Sequence, residues 1–484
     1  MVVDGRLVDG DARFETSNPY TGEAWATVAQ ASVDDVGTAV DAARRAFGET
    51  WRNTPGVERA RLMNALADAL DGEADEMARL ESTDNGKVIR ETRNQMGFAS
   101  RNLRFFAGYA DKIYGRTIPL DRPGMFDFTR RKPFGVAAIV TAWNSPIALL
   151  ANKLPAALAA GNTVVVKPSE HASVTTCEFG RLAVEAGLPP GVVNVVAGAG
   201  EVGDALTSHP DIDKISFTGG TSTGARVAEN ASRRLVPLTL ELGGKSPNII
   251  FDDADVDRAV VGAIAGIFAA AGQTCIAGSR LLVQRGVYDR VVEEVAARAG
   301  RIRLGDPLDP DTEMGPVANR PQFDRILGLI AAGRDEGGRL LAGGEAAKGD
   351  GLGNGLFIRP TVFADVTPDM RIAYEEIFGP VLSIIPFAEE QEAVEIANSV
   401  EYGLAAGVWT RDIDRAHRVV EQLETGSVWV NTYRTNAAQA PFGGTKRSGY
   451  GRERGEDALL EYTYVQNVMI DYSGAARDPF SIRT

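Results

Sequence analysis

The sequence predicts an α/β protein of more than one domain, with a Rossmann-like parallel sheet in its first half. Three observations lead there. From residue 136 onward, short apolar runs alternate with helical stretches, the βαβ rhythm that yields a parallel sheet with right-handed crossovers. The chain has 484 residues, more than one compact core accommodates. Its 44% hydrophobic and 24% charged residues are ordinary for a globular protein in water.

Two amphipathic helices come first. Val36, Val40, Ala43 and Phe47 mark one apolar face and Leu62, Leu66 and Leu70 the next, and both are expected to cover a sheet. Residues 117–131 are extended, with Pro119 and Pro123-Gly124, and are long enough for a hairpin leaving the domain body. Strand 136–141 follows, then Ser145 as a cap with Pro146 at the first helical position of helix 147–160. Strand 163–167, helix 175–186, strand 192–196, helix 202–208, strand 214–218 and helix 223–232 complete the series. Cys177, within helix 175–186, reads as core, and His209 before Pro210 as a surface turn.

In the second half Asp252, Asp253 and Asp255 open a helix with Val256, Val260, Ile264 and Phe268 at helical spacing, and Gly272 marks its stop. Cys275 follows on a short connection to strand 281–283. Residues 259–279 carry no charge but are built of Ala and Gly, which fits a buried helix better than a membrane span. The glycine-rich stretch 343–355 reads as a mobile surface loop, since no helix start follows it. Residues 375–380 read as a strand-entry turn, and the β-like segment 462–472 could pair with 117–131, joining subunits through a shared sheet.

Composition narrows the function. A net charge of −14 argues against nucleic acid or an anionic membrane as partner, because both demand a cationic footprint. Cys177 and Cys275 cannot form a disulfide framework, and Met1-Val-Val-Asp-Gly-Arg lacks a secretory apolar region, so a cytoplasmic location is expected. With only His171, His209 and His417, neither a metal site nor a Ser/His/Asp hydrolase is expected.

Taken alone, Cys275 would most simply be a small buried hydrophobe. Its context is different. Leu240-Glu241-Leu-Gly-Gly244 places a carboxylate at the end of an apolar strand, and Val140-Thr-Ala-Trp-Asn144 places an amide likewise. A nucleophile, a base and an oxyanion donor at loop positions after strands are what acyl chemistry requires. Two glycine motifs, Gly198-Ala-Gly200-Glu-Val-Gly203 and Gly219-Gly-Thr-Ser-Thr-Gly224, both open helices after strands, and the physics of phosphate binding does not separate them. Lys167-Pro-Ser169-Glu170 ends a strand, either as a pair for ribose hydroxyls or as an exposed ion pair.

These motifs, in this order from Asn18-Pro-Tyr-Thr-Gly-Glu23 to Glu461-Tyr-Thr-Tyr-Val-Gln-Asn467, resemble the aldehyde dehydrogenase superfamily of the NAD(P)-dependent, hydrolytic type. The resemblance implies a cofactor-binding domain over residues 1–116 and 134–243, a catalytic domain over 244–443, and an oligomerisation ribbon with a C-terminal arm over 117–133 and 457–484. It makes Phe217, Thr218, Gly219, Gly220 and Gly224 the phosphate-side motif, with Gly198 and Gly203 near the adenine; where the family often has a serine, Gly220 stands here. Thr141, Trp143, Asn144 and Leu242 are further cofactor contacts; Lys167, Ser169 and Glu170 lie at the ribose, and Glu376 and Phe378 at the nicotinamide riboside. Glu170 would repel a 2′-phosphate and so favours NAD, although Lys167 could accept NADP.

The implied reaction is attack of Cys275 on an aldehyde, with the oxyanion held by the Asn144 amide and the Cys275 N–H, then hydride loss to NAD and hydrolysis of the thioester by water that Glu241 deprotonates. Lys153 matches a family lysine near the active site, although a solvated helix lysine fits its surroundings nearly as well. NADP preference, CoA acylation and a non-catalytic binding protein on the same fold are the alternatives. The partners expected are a small aldehyde and other copies of the chain, as a homodimer or homotetramer. Trp143, Leu149, Thr274, Ile276, Tyr433 and Phe442 suit a medium-sized uncharged or aromatic aldehyde. No arginine is evident beside Cys275 for a substrate carboxylate, and Arg434 is the candidate to reach the entrance.

Overall fold

A computed structural model describes residues 1–349, 351–475 and 480. Its first large sheet has five parallel strands at its centre, in the order Val193–Val195, Thr163–Lys167, Val136–Val140, Lys214–Thr218 and Leu238–Glu241. Strands buried on both faces are apolar almost without interruption, which is why alternation is absent from runs such as Val136–Val140. The helix Val33–Glu49 buries Val36, Val40 and Ala43 on one face of this sheet, in a core shared with Ala138, Val165 and Phe217. Pro146–Ala160 and Val174–Glu185 cover the other face through Leu150, Leu154 and Phe179. The helix Gly56–Gly72 differs from expectation: it packs chiefly on the helices Ile89–Ala107, Pro146–Ala160 and Val174–Glu185 rather than directly on the sheet. The predicted strand and helix positions otherwise shift by a residue or two at their ends, as in Gly200–Ser208 and Thr221–Ser232.

The chain crosses to a second, seven-stranded sheet within the few residues between Glu241 and the strand Pro247–Ile250. There Pro247–Ile250 lies parallel between Arg280–Gln284 and Ala405–Trp409. The helix Val256–Phe268 opens as expected, with the Asp255 carboxylate accepting from the Arg258 N–H at 3.3 Å. It stops earlier than Gly272. Ala269–Gly272 forms a separate 3-10 turn in which Ala270 and Ala271 adopt φ of 54° and 52°. The left-handed region costs an L-residue about 1–2 kcal/mol, so a run of alanines gives no warning of this turn.

The glycine-rich stretch 343–355 contains no helix among its described residues. A third, three-stranded sheet joins Thr117–Ile118, Met125–Pro133 and Thr463–Asp471, the last two paired antiparallel from Thr463↔Pro133 to Asp471↔Met125. The expected pairing is therefore made within one chain and does not by itself join subunits. Residues 476–479 and 481–484 of the expected C-terminal arm lie outside the described residues. Among the described residues no helix is long and apolar enough to cross a membrane.

Candidate active site

A cleft of about 660 Å³ opens where the strand order of the first sheet reverses, beyond the ends of Val136–Val140 and Lys214–Thr218. Such switch points are where two neighbouring loops diverge and leave a crevice. Thr141, Trp143 and Asn144 enter the cleft from the first strand, Phe217, Thr218, Gly219 and Gly220 from the second, and Lys167, Ser169 and Glu170 from the strand between 163 and 167. Leu242, Glu376, Phe378 and Cys275 complete it from the side of the second sheet.

The two glycine motifs do not compete. Both of their helices point N-terminal ends at the cleft, through Gly200 and Gly203 on one side and Gly219 to Thr223 on the other. Gly198 and Gly224 are not among the cleft-lining residues. Each permits close packing instead: a Cβ on Gly198 would strike Val202 at 2.5 Å, and one on Gly224 would strike the Leu242 side chain. Gly220, by contrast, has open space beside it and caps the helix Thr221–Ser232, whose first N–H groups have no partner within the helix. The hydroxyls of Thr141 and Thr218 are buried in the cleft without a protein partner, so the lining supplies donors in want of acceptors. That chemistry fits a dinucleotide.

At the outer end the Lys167 ammonium stands 3.4 Å from Glu170. Burial lowers the lysine; burial works to raise Glu170, but Lys167, a backbone N–H and His171 together hold the carboxyl below its usual range. At the inner end the Trp143 and Phe378 rings meet edge to face with centroids 5.3 Å apart. Phe378 has φ 56°, a strained conformation held by the Gln322 amide, which donates to the carbonyls of Ile377 and Phe378 at 2.8 and 3.0 Å. Burial pushes the Glu376 carboxyl up to about 6, against the Gly244 N–H that donates to it at 2.9 Å.

Three segments converge on Cys275. A Cβ on Gly244 would stand 2.5 Å from the Cys275 carbonyl oxygen, and one on Gly243 would strike the Glu376 carboxylate, so the paired glycines are what let these backbones touch. The turn ahead of the cysteine is pinned by Glu91, which accepts from the Ala270 N–H at 3.1 Å, and by Asn144, whose Nδ2 donates to the Gln273 carbonyl at 3.0 Å. An amide nitrogen carries two hydrogens, so Asn144 keeps a second donor. Behind it Lys87, unremarked in the sequence, donates to the Asn144 carbonyl at 2.6 Å and fixes that loop.

Burial first, then Glu241 and Glu376, push the Cys275 thiol up to about 12, with Arg454 working the other way. Glu241 is buried with neither carboxyl oxygen hydrogen-bonded. Burial and then Glu453 raise it well above the usual carboxylate range, opposed by Lys153, Arg452 and Arg454. Lys153 is no solvated helix lysine. It is fully buried, ion-paired with Glu453 and hydrogen-bonded to Ser216 at 3.2 Å, and its charge works to lower Glu241.

Of the expected substrate-side residues, Trp143 and Leu149 line the cleft, and Phe442 and Ile276 form the small apolar cluster against which Cys275 packs. Tyr433 donates to the Ile276 carbonyl at 3.0 Å. Thr274, next to Cys275, is half-buried. Arg434 donates to the Ala265 carbonyl. Arg454, absent from the sequence candidates, is buried and within electrostatic reach of both Cys275 and Glu241. Sequence reasoning also missed Arg226, Arg325, Tyr402 and Arg447 in the cleft wall; they come from separate elements and share no local motif.

Residues 7–468 match the family model described as the aldehyde dehydrogenase family. The chain is 47% identical to aldehyde dehydrogenase 1A1 of Gallus gallus, over 95% of this chain and 90% of that protein. It is 43% identical to (Z)-2-((N-methylformamido)methylene)-5-hydroxybutyrolactone dehydrogenase of Acinetobacter baylyi, over 100% and 99%. The NAD+ complex structure of aldehyde dehydrogenase from Bacillus cereus superposes with a TM-score of 0.95 at 43% identity, over 97% of this chain and 96% of that one.

Proposed function

The chain belongs to the aldehyde dehydrogenase family, and from that premise we propose that it oxidises an aldehyde to a carboxylate with NAD as hydride acceptor, Cys275 being the nucleophile and Glu241 the base. The observation that carries this reading is the convergence of the Glu241–Gly244 loop, Cys275 and Glu376 at the inner end of a donor-lined cleft. The existence of a NAD+ complex of the Bacillus cereus relative supports the choice of cofactor. Thr141, Thr218 and the N-termini of Gly200–Ser208 and Thr221–Ser232 would hold its phosphates and hydroxyls; Glu376, Phe378 and Trp143 would flank the nicotinamide. The Lys167–Glu170 pair favours NAD over NADP, because Glu170 is ionised and would repel a 2′-phosphate.

When bound, the nicotinamide supplies the hydride acceptor. The protein does the rest. A thiol held near 12 is protonated at neutral pH, so attack requires proton removal as the C–S bond forms, and Glu241, whose charge reaches Cys275 and whose oxygens lack a hydrogen-bond partner, would take that proton and release it to solvent. The oxyanion of the thiohemiacetal is held by the Asn144 amide and the Cys275 N–H. After hydride loss the thioester carbonyl stays in the same pocket; Glu241, once its first proton has gone to solvent, deprotonates the attacking water and returns that proton to the Cys275 sulfur as the C–S bond breaks and the carboxylic acid leaves.

The reading is tested with Cys275→Ala, which is expected to abolish aldehyde-dependent NAD reduction while NAD binding, followed by calorimetry, persists. Sustained turnover by this variant rejects Cys275 as nucleophile. Release of the acyl group to coenzyme A rather than water, seen as an acyl thioester product, would reassign the last step.

A further inference from the structure

Most buried cations of this molecule are accounted for. Lys153 pairs with Glu453, Lys214 with Glu461, and Arg59 and Arg280 each donate to three backbone carbonyls. Arg454 is different. It is 9% exposed, and among the described residues no carboxylate lies within ion-pairing distance of it. Its only protein acceptors are two neutral amide oxygens: Nε donates to Asn152 Oδ1 at 3.0 Å and Nη1 to Asn436 Oδ1 at 2.7 Å. Glu453 and Glu241 offset its charge from a distance without bonding to it, so its free edge can still take up an anion from a ligand.

The geometry says where that anion would sit. The Arg454 guanidinium lies between the Phe98 and Phe442 rings, 5.1 and 4.8 Å from their centroids, and Phe442 belongs to the apolar cluster that flanks Cys275. Two rings clamp the faces of the guanidinium and leave its edge as the way in. Each asparagine spends its oxygen on Arg454, so the Nδ2 groups of Asn152 and Asn436 remain as donors beside Nη2. The result is a donor-only rim that runs from buried Asn152 to exposed Asn436. Arg454 also has φ 61° and ψ 171°, a region nearly confined to glycine that costs an arginine about 1–3 kcal/mol. The backbone is strained at a residue whose charge reaches Cys275.

We propose that Arg454, with Asn152 and Asn436, is a carboxylate-recognition site, and that the substrates of this enzyme are aldehydes bearing a carboxylate beyond the reacting carbonyl. Arg454 is a specificity residue and not a catalytic one. The inference rests on the aldehyde dehydrogenase reading, and it replaces the uncharged aldehyde expected from the aromatic and aliphatic residues alone. A planar carboxylate matches the guanidinium edge, and a charge-assisted bond made in a water-poor site discriminates strongly against a neutral isostere.

The test compares a series of ω-carboxy aldehydes with their methyl esters. The unmutated enzyme is expected to favour the acids in kcat/KM by about 10- to 100-fold at the best chain length, the effect of a charged hydrogen bond. Arg454→Met should collapse this acid-to-ester ratio toward one, chiefly through KM, and Arg454→Lys should recover part of it. Equal rates for acid and ester in the unmutated enzyme overturn the proposal, as does an Arg454→Met enzyme in which both fall in step and the ratio survives. A second arm needs no turnover: the matching dicarboxylates should bind the unmutated protein in calorimetry and bind Arg454→Met at least about 10-fold more weakly. Dicarboxylate binding without any aldehyde oxidation would sink the dehydrogenase reading and leave the carboxylate site standing; oxidation without dicarboxylate binding does the reverse. If Arg454→Met does not fold, the acid-to-ester ratio of the unmutated enzyme decides.

Discussion

At the scale of single residues, the charge pattern around Glu241 sets two measurable quantities. Its carboxyl titrates well above the ordinary range, because burial and Glu453 disfavour the ionised form. As a base it works only when ionised, so the acid limb of the rate of thioester hydrolysis should lie above the usual carboxylate pKa. Glu241→Gln should complete one slowed round of NAD reduction and then stall as acyl-enzyme; steady turnover would place the base elsewhere. The same shift affects stability with a definite sign. Below the unfolded carboxylate pKa both states hold the proton and Glu241 costs nothing; as pH rises toward the folded value the unfolded chain ionises first, and stability falls. Glu241→Gln should therefore match the parent in acid and be more stable at neutral and alkaline pH, by up to about 1.4 kcal/mol for each pH unit by which the folded value exceeds the unfolded one. Thermal unfolding of both proteins across pH checks this. Lys153→Met should act oppositely, destabilising by about 3–5 kcal/mol because it strands Glu453 in the core. A melting temperature equal to the parent's would show that the buried pair is worth little.

At the scale of elements, what the sequence made legible was whatever has a local cause. The βαβ rhythm located the first sheet because doubly buried strands must be apolar throughout, and Asp255 located the start of its helix because a free N–H needs an acceptor. The end of that helix was not legible. Gly272 does adopt φ 70°, but the turn begins earlier, with two alanines in a conformation their own preferences oppose and the Glu91 carboxylate, distant in sequence, holding it. Arg454 stayed hidden for the same reason: its partners Asn152 and Asn436, and the rings of Phe98 and Phe442, come from other segments. Gly243-Gly244 was visible as a glycine pair after a strand, but what it lets approach was not. Since a Cβ at Gly244 meets a backbone oxygen that no side-chain rotation can move, Gly244→Ala should displace Cys275 itself. A shift of about 1 Å is enough to cost roughly 100-fold in kcat with little change in NAD affinity. Retention of full activity would mean that the loop is softer than this packing implies.

At the scale of the whole molecule, the three-stranded ribbon is the feature that a lone chain leaves unexplained. Thr463–Asp471 lies at the edge of its sheet, and Val465, Met469 and Ile470 are about half exposed, with Phe126 and Tyr464 little less so. A long apolar edge strand offers unsatisfied backbone groups to any other strand, and proteins that persist in solution cover such edges or charge them. Here the exposed residues are mostly apolar, with Asn467 and Asp471 the polar ones among them, and the partner Met125–Pro133 pairs with one side of the strand. We therefore propose that this edge is a contact between copies of the chain, as in a homodimer or homotetramer. Val465→Lys combined with Met469→Lys should lower the mass measured by light scattering to that of a smaller assembly, while adding charge to the edge should itself limit aggregation of the released subunits. The cleft and Cys275 are built from the two large sheets, so the dissociated form should still bind NAD. A parent protein that is monomeric across its concentration range, or a doubly substituted one that keeps the parent's mass, would assign the ribbon another role.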